Sequence, residues 1–117
     1  MKKLRFKQFL LSAVLLFSVA HQANAMKIAE FTQICGSAPI PCADIPFIQA
    51  YVGGALDLLA ALDEDTEYLA DMYCKPAREL FNTAKIIKFM EAHQNEDPSR
   101  NAMMLVIQYV EEEGGCS

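Results

Sequence analysis

Apolar residues along the chain recur mostly at intervals of three and four, the period of amphipathic helices, with no sustained alternation of the kind a strand requires. "KIAEFTQIC" spaces Ile28, Phe31 and Ile34 three apart and predicts a short helix. "GSAPIPC" breaks it with one glycine and two prolines. Asp44 is then a candidate N-cap for a second helix, with Ile45 and Pro46 in its first turn, where proline is tolerated. This helix runs to about Leu62. Phe47, Ile48, Tyr51, Val52, Ala55, Leu56, Leu58 and Leu59 cover most of its circumference, which predicts a helix in the middle of a bundle.

"DEDTE", residues 63 to 67, reads as a charged loop. Pro76 then restricts "YLADMYCKPAREL" to a short turn or an extended piece. Asn82 predicts the cap of a third helix, Thr83 to about His93. Phe81 and Ile86 are placed as a hydrophobic staple, and Ile86, Ile87 and Met90 share one face. Asp97 and Pro98 predict the start of a last helix carrying Ala102, Leu105, Val106 and Tyr109, widened by Met103 and Val110 and ended by Gly114-Gly115. The fold class is all-α: a small four-helix bundle.

The first 25 residues change the picture of what folds. A basic start (Lys2, Lys3, Arg5, Lys7), an apolar run from Phe9 to Ala20 and the small-x-small ending Ala23-Asn24-Ala25 read as a secretory signal peptide. The run is short for a membrane anchor. This leaves a single helical domain from Met26 to Ser117, in the periplasm of a bacterial cell. The leader holds four basic residues and no acidic one, so its removal lowers the formal charge from −5 to −9. Such a domain has nothing to neutralise phosphates, which argues against nucleic acid. A basic protein surface suits it better, although solubility alone also accounts for the charge.

All four cysteines lie in the mature part, an even number in a short exported chain, which reads as two disulfides. The tight turn around Gln94 to Asp97 makes the last two helices antiparallel. The segments flanking them then meet at one end, which pairs Cys74 with Cys116 and leaves Cys35 with Cys42. Chain entropy makes the longer loop worth about 4 kcal/mol and the shorter about 2.5 kcal/mol. There is no C-x-x-C and no zinc-finger spacing, so neither a redox site nor a metal site is expected.

Catalytic chemistry finds no support. The mature part has one histidine, His93, near a helix C-terminus, where a cation favours the helix dipole. Met90, Met103 and Met104 fall in helical stretches and read as core or gap filling. No paired carboxylates or glycine-rich phosphate loop stand out, and no cofactor or enzymatic activity is expected. Gly53-Gly54 remains unusual, since each glycine costs about 1 kcal/mol in a helix interior. Either another helix crosses closely there, or the pair bares backbone for a partner. The burial expected of this helix favours close packing.

"YVGGALD" (Tyr51, Val52, Gly54, Asp57) resembles the Y-V-x-G-x-x-D signature of the Rap/Tai immunity proteins. "YCKP" (Tyr73 to Pro76) resembles that family's aromatic-C-x-P before its third helix. The order of leader, motifs, two helices and closing cysteine is also similar. The resemblance implies a small periplasmic protein that binds and inhibits a peptidoglycan amidase effector of type VI secretion, performs no reaction itself, and protects against sibling cells. It also allows a homodimer. The candidate contact residues are Asp57 and the acidic stretch Asp63, Glu64, Asp65 and Glu67. The rival reading is a small periplasmic acid-stress chaperone.

Overall fold

The computed structural model describes residues 24–67 and 69–116, so the predicted leader lies almost wholly outside the described residues. Among those residues the chain is helical and has no strand, only one isolated antiparallel bridge between Lys27 and Asn101. The elements are α1 (Ile28–Ser37), a 3₁₀ turn (Cys42–Asp44), α2 (Pro46–Asp65), α3 (Ala77–Leu80), α4 (Thr83–Ala92) and α5 (Met103–Glu113). Four of these helices form the bundle and α3 is a single turn.

α4 is the element most others pack on. It meets α2, α5 and the 3₁₀ turn, while α1 joins through that turn. The core is what the helical spacing predicts: Ile28 and Phe31 from α1, Ile86, Ile87 and Met90 from α4, Leu105, Val106, Tyr109 and Val110 from α5. Fully burying each large aliphatic or aromatic side chain is worth about 1.5–3 kcal/mol, which makes this shared apolar layer the main source of stability. Asn82 caps α4 as expected: its Oδ1 accepts from the Lys85 amide at 3.0 Å. Asn82→Ala is expected to lower the unfolding free energy by about 1 kcal/mol in urea titrations, with the m-value unchanged.

α2 differs from its expectation in three ways. Its N-cap is Ile45, and Asp44 instead belongs to the 3₁₀ turn, its amide donating to Pro41 O at 2.9 Å. Cys42 and Ile45 are buried, and anchoring them bends the chain before a side-chain cap can form. At the other end the helix continues through Asp65, so most of the expected charged loop is helix. Thr66 ends it, with its amide and hydroxyl both donating to Leu62 O at 3.0 and 2.7 Å. Finally, α2 lies at the side of the bundle and not at its middle. Only Ile48, Val52, Ala55 and Leu56 are buried, whereas Phe47 and Leu58 are 59% and 61% exposed.

The start of α5 is also displaced. Asp97 caps a turn, accepting from the Ser99 amide and hydroxyl, and helix begins at Met103. Those two hydrogen bonds hold the Asp97 carboxyl below its usual range. The intervening residues serve α1. Ile28 N donates to Arg100 O, Ala29 N to Pro98 O, and Ala102 N to Met26 O, at 2.8–3.0 Å. Two amides at the N-terminus of α1 thus find partners outside their own helix.

Candidate functional site

Both disulfides are paired as the antiparallel geometry predicts, Cys35 with Cys42 and Cys74 with Cys116, and no cysteine is free. The second joins the end of α5 to the segment ahead of α3. Around it the backbones lock together: Cys74 N and Lys75 N both donate to Gly114 O, at 2.9 and 2.8 Å. Tyr73 is buried in this junction, its ring edge-on to Phe81 with centroids 5.6 Å apart.

Here lies the close approach that was expected at Gly53-Gly54. A Cβ built on Gly114 falls 2.8 Å from Tyr73 Cβ and 2.9 Å from Tyr73 Cα. A Cβ built on Gly53 or Gly54 has nothing within 4 Å. The close-packing role assigned to Gly53 and Gly54 is therefore wrong within the chain, because α2 offers that side to open space. Gly115 adopts φ 73°, the left-handed region that favours glycine.

The acidic residues collect around this stapled end. Asp63, Glu64 and Asp65 form the last turn of α2 and Glu67 follows; all four are exposed. Acidic side chains at a helix C-terminus oppose the helix dipole, so this placement does not serve α2 itself. Tyr73 connects the cluster to α5. Its hydroxyl is enclosed without a hydrogen-bond partner of ordinary geometry, and its backbone lies against Gly114. Burial, and then the Asp63 carboxylate beside it, push the Tyr73 phenol above its usual 10. Just before Gly114 stand Glu111, Glu112 and Glu113, all exposed, with Glu113 near enough to help burial raise Tyr109.

The fold thus joins two acidic helix ends in one region, and the second was not singled out from the sequence. The run "EEE" is visible there, but only the Cys74–Cys116 link and Tyr73 reveal its neighbour. Lys75, packed on Gly115, is a basic residue in the same region. Among the described residues the ion pair found is Arg100–Glu96 at 3.5 Å, so no basic side chain is matched to Asp63, Glu64, Asp65 or Glu67. Asp57 stands apart from Asp63. It is exposed and shares its face with Glu64, two turns further along, while Asp63 turns toward Tyr73.

Elsewhere the candidate chemistry is accounted for. His93 Nδ1 lies 2.8 Å from Phe89 O and its ring stacks on Phe89 at 3.9 Å, the position of a helix-end cap. A cleft of about 450 Å³ beside α1 includes Glu30, whose Oε2 already accepts from Lys27 N at 2.9 Å. An apolar groove of about 160 Å³ runs between α2 and α5, lined by Leu58, Leu59, Met103 and Ile107. Met90 fills core as expected, but Met104 is 39% exposed. Among the described residues no three His, Cys, Asp or Glu side chains converge to hold a metal ion, and no helix is long and apolar enough to cross a membrane.

These features define a small disulfide-stapled helical domain with a crowded acidic end. No family model, curated protein or solved structure matches the chain.

Proposed function

We propose that this is a periplasmic immunity protein that binds a peptidoglycan amidase effector of type VI secretion and blocks its active-site cleft. The observation that carries the reading is the acidic end. Asp63, Glu64, Asp65 and Glu67 are exposed, have no ion-paired basic partner among the described residues, and end α2 at the disulfide-fixed junction that also carries Glu111–Glu113. A fixed anionic surface favours a basic partner through the rate of encounter and through its specificity. Rigidity adds to this, since little ordering is left to be done on binding. The resemblance of "YVGGALD" and "YCKP" to the Rap/Tai proteins names the partner class.

The reading frame beside this gene is expected to encode a small exported cysteine-histidine amidase, and the test directs that product to the periplasm. Co-expression of the immunity protein is expected to restore growth. Reversing Asp63 and Asp65 to lysine is expected to slow association by about tenfold at low salt, with the difference shrinking as salt rises. Association rates equal to wild type across a salt series would count against the acidic end as the docking surface. The exposed Phe47, Leu58 and Leu62 favour a second reading, an acid-stress chaperone. That protein would suppress aggregation of unrelated proteins on acidification and would give no protection against the amidase.

A further inference from the structure

The two helices that carry the acidic ends also enclose the apolar groove of about 160 Å³. They run parallel. The Tyr51 phenol stands beside the Met103 amide at one end, and Tyr73 joins Asp63 to Gly114 at the other. Two rows at four-residue spacing line the groove, Ala55 and Leu59 on α2, Met103 and Ile107 on α5. One turn further along the same faces, each row reaches a carboxylate, Asp63 and Glu111. The groove is therefore apolar along its length and anionic at one mouth. Leu58 and Leu62, 61% and 40% exposed, extend its apolar edge.

The same mouth is anionic for a second reason. α2 and α5 both end there, and neither has a basic residue in its last turn. A cation placed at the mouth meets the negative ends of two helix dipoles as well as two carboxylates. Neither helix contains Lys, Arg or His anywhere, against seven acidic residues. Lys75, on the Gly115 side of the junction, does not line the groove.

Size, polarity and register decide what fits. Small-molecule sites measure about 300–1,000 Å³ and carry polar groups that orient the ligand. This groove is smaller and its lining side chains are all apolar, which suits the side chains of a protein segment. The described residues offer no strand edge for an extended peptide. A helix-in-groove contact needs only anchors repeating every three or four residues. From Ala55 to Asp63 the groove and its mouth extend about 12 Å along α2, a little over two helical turns.

We propose that the groove between α2 and α5 is the docking site for a cationic amphipathic helix of a partner protein. Its apolar side chains, one turn apart, enter beside Leu58, Leu59 and Ile107, and a Lys or Arg on its next turn sits between Asp63 and Glu111. Such a helix covers Leu58 and Leu62, which the chain itself leaves open. The proposal rests on the acidic end as a docking surface, as the proposed function does, and not on the partner's being an amidase.

The test is fluorescence anisotropy with the oxidised protein recovered from the cell envelope. The probe is a labelled peptide of about 16 residues, long enough to hold a helix, with leucines along one face and lysines at one end. It is expected to bind at least about tenfold more tightly than the same peptide with glutamate for lysine, or with its leucines scattered around the helix. Leu58→Glu is expected to weaken binding by about tenfold, with helical circular dichroism and Tm retained because the side chain is exposed. Binding by charge alone would instead tighten. Glu111→Lys is expected to weaken binding by about tenfold at low salt and less at high salt. Asp44→Lys, the same change of charge at the other end of α2, is expected to cost less than about twofold. Failure of the leucine–lysine peptide to bind, equal binding of the scattered peptide, tighter binding by Leu58→Glu, or equal losses from Asp44→Lys and Glu111→Lys would each overturn the inference. So would a wild-type dimer that Leu58→Glu dissociates, since a second copy would then fill the groove. Peptide binding without protection in the growth assay would sink the amidase reading alone; protection without peptide binding would sink the groove alone.

Discussion

Replacing Cys74 and Cys116 together by serine is expected to lower the unfolding free energy by about 4 kcal/mol. The link spans 42 residues of sequence, so cutting it frees a long loop in the unfolded chain. The Cys35–Cys42 link spans 7 and is expected to cost about 2.5 kcal/mol when removed. A domain of this size has a net stability of about 5–15 kcal/mol, so losing the longer link removes a large share of it. The folded state also suffers locally. The amides of Cys74 and Lys75 depend on Gly114 O, and Tyr73 depends on the α5 end lying over it. Urea titration of the two double variants and the wild type measures both losses. A Cys35/Cys42 variant less stable than the Cys74/Cys116 variant would show that loop entropy does not set the order.

That same junction separates what could be read along the chain from what could not. The cysteine pairing was legible because it needed only a tight turn and two antiparallel helices, both marked locally by Asn82 and by the residues 94 to 97. The core faces of α4 and α5 were legible because burial follows helical period. The start of α5 was not. Asp97-Pro98 is a sound local signal for a helix, but the amides of Ile28 and Ala29 take the carbonyls of Arg100 and Pro98. A contact some 70 residues distant in sequence overrides the cap.

The acidic site was legible in part for a related reason. Asp63 to Glu67 announce themselves as a run, but their helical form depends on α2 continuing to Thr66. Their adjacency to Glu111–Glu113 depends on Tyr73 and a disulfide. Gly53-Gly54 misled because composition shows how apolar a helix is but not how much of it the chain covers. Period alone did not distinguish a helix inside the bundle from one whose outer stripe is left open.

Gly114→Ala is expected to cost about 2–3 kcal/mol, the range of an overpacked site, through Val110 O within α5 and Tyr73 across the junction. The neighbours of the added methyl are Val110 O, at 2.5 Å, and Tyr73 Cβ and Cα, at 2.8 and 2.9 Å, none of which can swing aside as the tip of a long side chain would. Relief requires the end of α5 to lift from residues 73 to 75. That movement stretches the paired hydrogen bonds to Gly114 O and admits water to the enclosed Tyr73 ring. Tyr73 has an enclosed hydroxyl and a pKa raised first by burial, so opening the junction should bring its phenol back toward 10 in an ultraviolet pH titration. Gly53→Ala supplies the contrast: the same methyl in a helix interior, with open space around it, is expected to raise stability by up to about 1 kcal/mol. If both substitutions shifted the urea midpoint in the same direction, the tight crossing at Gly114 would not be what fixes the two acidic helix ends together.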